Sequence, residues 1–265
     1  MKKSAVAFAL CLICLIVCAQ CKKKRAELAP DVASSDEALF KLGEQELKKD
    51  EEKARLYLRQ VIDSFPKSFF AQRAKLLIAD SYFKRGDEGN LILAASEYRE
   101  FIQLYPYSPS APYCQYQIAM TSHKKVLSPG RDQTKTEHAL AEFKKVITSY
   151  PLSDQAKDAQ ARIKDCEERL AEHNFGIGKH YNRVHAYKAA TARLTEILTN
   201  YPDYSKMDQV YFYLADSYYR SNKPDEAIPF FTKMLTDYPK SKLASIAQKT
   251  LQEIDKNKQA KKTIN

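Results

Sequence analysis

The side chains of this chain that could do chemistry are scattered along it. Its histidines are His123, His138, His173, His180 and His185. Only His173 and His180 share a helix face, and they are two turns apart, which is too far for both to bind one metal ion. Carboxylates such as Glu167, Glu168 and Glu172 alternate with lysines and arginines at helical spacing, which is typical of a solvated surface. The residues therefore indicate no metal, no cofactor and no catalytic centre, and we predict a non-enzymatic protein.

The segment Gly176-Ile177-Gly178-Lys179 has the composition of a phosphate-binding loop. However, no strand precedes it and the spacing of a Walker motif is absent. A helix predicted from Ser153 to about Asn182 runs through it, and each glycine costs up to about 1 kcal/mol in a helix interior. Glycines in such a place usually permit close approach of a backbone, and we expect that role here.

The elements that position these side chains follow from a frame of residues that recurs five times. It consists of an Ala, a large apolar residue four positions later, and an aromatic-Pro pair. The sets are Ala54, Leu58, Phe65-Pro66; Ala94, Tyr98, Tyr105-Pro106; Ala139, Phe143, Tyr150-Pro151; Ala190, Leu194, Tyr201-Pro202; and Ala227, Phe231, Tyr238-Pro239. Ala admits a partner helix, the residue at +4 lies on the same face, and Pro stops the helix. Because single helix pairs cannot bury their apolar faces, the pairs must stack. We predict an all-α, tetratricopeptide-like helical-repeat superhelix of about five helix pairs plus a C-terminal capping helix.

The array is predicted to span residues 36–255. First helices are expected near 34–48, 68–85, 109–126, 153–182 and 205–221, and second helices near 51–66, 89–104, 133–149, 185–200 and 224–237. The serines that follow the prolines are placed to cap the next helix, namely Ser68, Ser108, Ser153, Ser205 and Ser241. Ser34 and Glu37 have the spacing of a capping box. A last helix from Lys242 to about Lys256 would close the stack, and residues 256–265 would form a basic tail that frays.

The N-terminal residues resemble a bacterial lipoprotein signal. Lys2 and Lys3 precede an apolar run that is too short to span a bilayer. Cys21 comes after this run, and a basic segment begins at the next residue. We predict a signal peptide over residues 1–20, a lipid on Cys21 and a flexible tether over residues 21–35. Because Gln20 stands where such signals usually carry a small residue, a plain secretory signal cleaved after an Ala-x-Ala-like site is the alternative.

The formal net charge of the whole chain is +10. For an exported protein we exclude nucleic acid as a partner. The charge suits anionic headgroups near Lys22–Arg25 or an acidic patch on another protein, although lysines that only solvate helix faces explain it equally simply. Cys114 and Cys166 could pair in an oxidising compartment, but small buried hydrophobes are the commoner role of cysteines in helices.

Aromatic residues are abundant, with 17 Tyr and 12 Phe. In tetratricopeptide arrays the first helices line the concave surface, and we register them on their small residues Gly43, Ala79, Ala119 and Ala215. This register turns the following residues inward: Phe40, Arg73, Leu76, Asp80, Phe83, Tyr113, Tyr116, Met120, Phe212 and Tyr219. Such a groove suits an extended peptide. The alternative for each aromatic residue is packing between repeats.

The order of motifs resembles the BamD family of outer-membrane assembly lipoproteins across essentially the whole mature chain. The resemblance rests on Phe101-Ile102-Gln103-Leu104-Tyr105-Pro106, Tyr113, Tyr116, Arg131-Asp132-Gln133-Thr134, Tyr150-Pro151-Leu152-Ser153, Arg169-Leu170-Ala171-Glu172-His173, Gly178-Lys179-His180-Tyr181 and Ala186-Tyr187-Lys188-Ala189-Ala190 with Arg193. The Arg-Asp-Gln-Thr run and the long helix of the fourth repeat are its more specific parts. Gln20 and the basic C-terminal tail depart from the pattern.

The resemblance implies a lipid-anchored scaffold on the periplasmic face of the outer membrane. Its C-terminal repeats would hold the soluble domains of a BamA-like barrel protein, and its N-terminal repeats would receive unfolded outer-membrane proteins through a C-terminal aromatic-rich segment. The groove at Phe40, Leu76, Phe83, Tyr113 and Tyr116 would then contact the client, with Arg73 as a carboxylate partner and Asp80 alongside. Arg193 would dock BamA, or it is an ordinary surface arginine.

Two other classes of protein stay open. One is another exported repeat adaptor of the cell envelope, of the CpoB type associated with Tol proteins, whose short repeats resemble residues 205–250. That type lacks the Arg-Asp-Gln-Thr connection and carries an N-terminal coiled coil, for which this chain shows no heptads. The other is an enzyme whose residues would have to converge in the groove.

Overall fold

A computed structural model of the chain describes residues 34–264. The predicted signal peptide, the predicted lipid attachment at Cys21 and the predicted tether as far as residue 33 lie outside the described residues. Within the described part, no helix combines the length and the apolar character that crossing a bilayer requires.

The described residues form helices joined by short connections, and residues 34–264 contain no strand. In chain order they are α1 (Asp36–Glu46), α2 (Glu51–Ser64), α3 (Phe69–Arg85), α4 (Glu88–Leu104), α5 (Ala111–His123), α6 (Thr134–Ser149), α7 (Asp154–Arg183), α8 (Tyr187–Asn200), α9 (Met207–Arg220), α10 (Pro224–Asp237) and α11 (Ala244–Ile264). These are the five predicted helix pairs and a final helix. The all-α, tetratricopeptide-like repeat fold is therefore confirmed, with helix ends within a few residues of those predicted except at the C-terminus.

The recurring frame marks the second helix of every pair. Its Ala and its +4 residue are 0% exposed in all five repeats. The aromatic residue before each Pro is the C-cap of its helix, at Phe65, Tyr105, Tyr150, Tyr201 and Tyr238. Because the proline ring disfavours helical backbone at the preceding residue, each pair ends the helix at the same point of the frame.

Most of the predicted serine caps are present. The Ser153 hydroxyl accepts from the Ala156 N–H at 3.2 Å, the Ser68 hydroxyl from the Phe70 N–H at 2.9 Å, and the Ser241 hydroxyl from the Leu243 N–H at 3.2 Å. These bonds satisfy N–H groups that the first helical turn leaves unpaired. The prediction for Ser108 was wrong: its hydroxyl accepts from the Ser110 N–H, whereas Ser110 is itself the N-cap of α5 and no side chain caps that helix.

Two further capping predictions were wrong. Helix α1 is capped by Ser35 and not by Ser34, because the Ser35 side chain accepts from the Ala38 N–H. The Ser205 hydroxyl donates to Glu168 on α7, and α9 begins only after Lys206. The extra residue between Pro202 and this serine takes the hydroxyl out of reach of the helix start.

The described residues form two compact units, residues 34–78 and 79–264, which we describe separately. In the first unit, Gly43 lies against the frame residue Leu58: a Cβ on Gly43 would stand 2.7 Å from Leu58 Cδ2. In the second unit, a Cβ on Gly178 would stand 2.8 Å from Leu194 Cδ2, whereas a Cβ on the exposed Gly176 would meet nothing within 4 Å. Gly178 therefore admits a close neighbour, but this neighbour is the Leu194 side chain and not the predicted backbone, and Gly176 admits none.

The connection between α5 and α6 is organised by the buried side chain of Gln133. Its Nε2 donates to the carbonyls of Ser128 at 2.9 Å and Arg131 at 3.1 Å, and its Oε1 accepts from the Thr136 hydroxyl. Asp132, which precedes the N-cap residue Gln133, accepts at Oδ1 from the N–H and the hydroxyl of Thr134, the first residue of α6. The Arg-Asp-Gln-Thr run thus holds the connection in a fixed conformation at the start of α6.

Helix α7 forms side-chain hydrogen bonds with two connections that are not next to it in the chain. His173 Nδ1 donates to the Pro129 carbonyl at 2.6 Å in the α5–α6 connection. The neighbouring residue Glu172 accepts from the hydroxyl of Tyr204 and from Lys206 Nζ in the α8–α9 connection. The long helix therefore links these two connections through adjacent side chains.

Helix α11 continues to Ile264, beyond the predicted end near Lys256. Its extension consists largely of Lys, Gln and Ala, which are good helix formers, so local propensity carries the helix on. Cys114 and Cys166 are buried, unpaired thiols. Burial raises the pKa of Cys114 to about 12 and that of Cys166 to about 11, which confirms their role as small buried hydrophobes.

Candidate functional site

In the first unit, Arg73 stands at the centre of an aromatic surface. Its guanidinium lies 4.5 Å from the ring centroid of Phe40 and 5.8 Å from that of Phe69. Its Nη2 is 3.4 Å from Glu44 Oε1, and the Arg73 side chain is 47% exposed. Phe40 is only 1% exposed, so it supports the guanidinium from below. The half-buried Leu76 follows one turn later on α3.

The sequence pattern missed Phe69, which is 68% exposed and gives this surface its accessible aromatic ring. Phe69 is the first residue of α3 and lies outside the register based on small packing residues. The available signal was its spacing from Arg73, because residues four apart share a helix face. Phe69 and Arg73 together form what we call the Arg73 surface.

In the second unit, Asp80 belongs to an internal hydrogen-bond network. Its Oδ1 accepts from the hydroxyls of Tyr98 at 2.6 Å and Tyr113 at 2.9 Å, and Gln117 Nε2 donates to the Tyr113 oxygen at 2.8 Å. Burial raises the pKa of Asp80, and burial also raises the pKa of Tyr113 to about 12. The network joins α3, α4 and α5, so Asp80 and Tyr113 are committed to contacts within the chain.

The two remaining aromatic residues of the predicted groove differ in their surroundings. Phe83 is half-buried, and Lys124 Nζ lies 4.0 Å from its ring centroid. The Tyr116 ring is 5.5 Å from that of Phe143 and packs on the buried cluster around it. Phe83 therefore presents a cation–aromatic pair, whereas Tyr116 mainly covers the core.

His123 gives the second unit a pH-dependent contact. Its ring is 5.8 Å from that of Phe143, and its Nε2 is 3.5 Å from Asp165 Oδ2. Burial, together with the charge of Arg162, lowers the pKa of His123 below its usual 6.5, against the opposing effect of Asp165. The neutral imidazole is thus the form that the folded state favours.

We expect His123 to make the protein less stable as the pH falls below about 6.5. The unfolded chain then binds a proton that the folded chain resists, so the contribution is fully present above this pH and is lost below it. Urea unfolding between pH 7.5 and 5 measures the effect. His123→Gln should reduce the slope of unfolding free energy against pH, and His138→Gln is the control on the next helix. Equal slopes in wild type and His123→Gln would contradict the prediction.

Arg193 lies on the surface of α8, as the sequence predicted. Its side chain is 45% exposed, and Nη1 is 3.0 Å from Glu196 Oε2 on the same helix. It directly precedes the buried Leu194, which contacts Gly178. Exposed intrahelical pairs contribute little to stability, so a partner can displace Glu196 at low cost.

The stacked helix pairs, with aromatic and cationic surfaces, define a tetratricopeptide-like repeat protein. No group of residues that could hold a metal ion is present among residues 34–264. A family profile described as outer membrane lipoprotein (YfiO) matches residues 32–227. The chain belongs to this family.

Curated relatives carry the name outer membrane protein assembly factor BamD. The protein of Caulobacter vibrioides is 29% identical over 171 residues, which are 64% of this chain and 55% of that protein. The protein of Rickettsia prowazekii is 26% identical over 252 residues, which are 93% of this chain and 96% of that protein. The chain thus spans about half the length of the first relative and nearly all of the second.

Among solved structures, the TPR2AB domain of yeast Sti1 in a pHSP90 complex is similar, with a TM-score of 0.40 and 16% identity. The similarity covers 86% of both chains.

Proposed function

We propose that this chain is a non-enzymatic scaffold lipoprotein of the machinery that assembles β-barrel proteins in the outer membrane. The observation that carries the proposal is membership of the outer membrane lipoprotein family over residues 32–227, with relatives named as assembly factors. Lipid on Cys21 would hold it on the periplasmic face of the outer membrane. A fold of helix pairs supports a scaffold role because it presents extended contact surfaces.

The C-terminal repeats would dock a BamA-like barrel protein, with Arg193 as a principal contact. Arg193 is exposed, and it pairs with Glu196 on its own helix. An acidic residue of the partner could take the guanidinium in a bidentate pair, which is the strongest form of this contact.

The N-terminal repeats would receive unfolded outer-membrane proteins. In the first unit the Arg73 surface offers an exposed ring and a guanidinium, which suit an aromatic residue and a carboxylate. In the second unit the Phe83 ring with Lys124 offers a similar pair. The other residues predicted for the groove would support these contacts from within the packing.

We expect Arg193→Glu to reduce co-purification of a BamA-like protein at least tenfold, because it puts like charges at the contact. The tagged, full-length protein is pulled down from mildly solubilised membranes and the barrel protein is quantified. Arg169→Glu is the matched control, since Arg169 is similarly exposed and also pairs within its helix. Retention of the partner at the wild-type level would return Arg193 to an ordinary surface role. Recovery of Tol proteins in place of a barrel protein would favour the CpoB-type adaptor.

We expect Phe69→Ala with Arg73→Glu to reduce crosslinking of a peptide from the C-terminal segment of an outer-membrane barrel protein at least fivefold. The variant removes the exposed ring and reverses the charge that would meet the carboxylate. Leu56→Ala is the control, because Leu56 is a 64% exposed apolar residue of the same unit. Unchanged crosslinking would place the client elsewhere.

A further inference from the structure

A cationic cavity of about 410 Å³ lies at the C-terminal end of α7, within the second unit. Its lining includes Lys179, Arg183 and His185 from α7 and the turn that follows, and Tyr213 and Arg220 from α9. No Asp or Glu is among the residues that line it. The cavity is separate from Arg193 and from the residues predicted for the groove.

The three cations of this cavity differ in how closely a carboxylate approaches them. Arg220 Nε donates to both carboxylate oxygens of Asp216 at 2.8 Å, so that pair is neutral. Arg183 donates to His180 Nδ1 at 3.0 Å, and Lys179 Nζ lies 5.4 Å from the Tyr213 ring centroid. Among the described residues, no carboxylate forms a close ion pair with Lys179 or Arg183, and Lys179 acts on Glu172 only by helping to lower its pKa. Lys179, which lies beside the Tyr213 ring, and Arg183 would together attract an anion of one or two charges.

An apolar recess of about 690 Å³ adjoins the cavity and shares His185 with it. It is a shallow surface lined by Ala186, Ala189 and Ala192 together with Tyr187, Lys188 and Ser221. His185 has a left-handed backbone with φ of 63° because it ends α7, where Gly or Asn is usual and the Ala186 N–H bonds back to the Tyr181 carbonyl. The side of the molecule at His185 is therefore common to both spaces.

We propose that the cavity and the recess together bind an acidic segment of a partner protein. One carboxylate of the segment lies between Lys179 and Arg183, and an apolar side chain two residues away lies on the alanine recess. In an extended chain, residues i and i+2 point to the same face about 6.6 Å apart, which suits two adjoining subsites. A phosphate dianion would use the cations and leave the recess empty, so the paired chemistry favours a peptide. The site does not rest on the proposed assembly function.

The test uses the full-length protein in a neutral detergent and two blocked peptides that carry a neutral dye. One peptide is Ser-Glu-Gly-Phe-Ser and the other has Gln in place of Glu. Fluorescence anisotropy at low salt, where charge contacts are least screened, should show at least tenfold tighter binding of the Glu peptide. Lys179→Glu with Arg183→Glu should abolish this preference, and Lys179→Gln should weaken it severalfold. Lys157→Glu, an exposed position on the same helix, should leave it unchanged.

Three results would overturn the proposal. Equal binding of the two peptides would remove the carboxylate subsite. An unchanged preference in the double variant, with helicity and melting temperature as in wild type, would place the anion elsewhere. Binding of phosphatidylglycerol vesicles that depends on Lys179 and Arg183, without binding of the Glu peptide, would assign the cations to a lipid surface. Loss of BamA co-purification by Arg193→Glu tests the proposed function separately, so the two can fail independently.

Discussion

Phe143→Ala is expected to lower the free energy of unfolding by about 3–5 kcal/mol. Phe143 is 0% exposed and is the +4 residue of the third frame. Its ring contacts those of Tyr116 and His123, and it lies in a cluster with Val146 and Ile163. The truncation would leave a cavity where α5, α6 and α7 meet, and fixed backbones around it can close it only partly.

Urea unfolding followed by circular dichroism measures this loss. Leu152→Ala is the control, because Leu152 is 99% exposed and its truncation should change stability by less than about 0.5 kcal/mol. Repeat arrays can unfold in stages, so hydrogen exchange of α5 to α7 should accompany the experiment. A loss below about 1 kcal/mol with unchanged exchange would show that the third repeat collapses around the vacancy.

Gly178→Ala and Gly176→Ala should change stability in opposite directions, although the residues are two positions apart on α7. A Cβ at 178 would stand 2.8 Å from two atoms of Leu194, and such overpacking costs about 1–3 kcal/mol. At 176 the new methyl meets no atom within 4 Å, so the change should stabilise the helix by up to about 1 kcal/mol. Thermal and urea unfolding of both variants measure the difference.

A double variant identifies the cause of the expected loss at Gly178. Leu194→Ala alone should be destabilising, because Leu194 is 0% exposed. The double variant Gly178→Ala with Leu194→Ala should lose less stability than the two single variants lose together, because truncation of Leu194 makes room for the new methyl group. Strict additivity would mean that Gly178 is sensitive for a reason other than this contact.

The sequence predicted the helices well because their signals are local. Pro ends a helix through its own ring, and the Ala and +4 positions of the frame are all 0% exposed. The caps were harder to predict, because a shift of one residue between the serine and the start of the helix decides whether the hydroxyl can cap it. Ser35 replaces Ser34, and Ser205 bonds to Glu168 on another helix, which no local pattern contains.

The predicted site was less accessible to sequence reasoning because burial depends on the neighbouring helix. A register turns Phe40 and Tyr116 inward, but it does not show whether a ligand or a helix lies there. The structure places Phe40 beneath Arg73 and Tyr116 on Phe143. Asp80 is likewise occupied by two tyrosine hydroxyls from other helices. The cavity at Lys179 was missed because its cations come from α7 and α9, which are distant in sequence.

The bonds of Glu172 and His173 have a mechanical consequence. Two neighbouring side chains of α7 bond this helix to the α5–α6 connection and to the α8–α9 connection. A displacement of the connection at Lys206 is therefore transmitted to the connection at Pro129 through less than one turn of helix. We expect α7 and these two connections to move as one rigid element, so that a force applied to the fifth repeat is transmitted to the third.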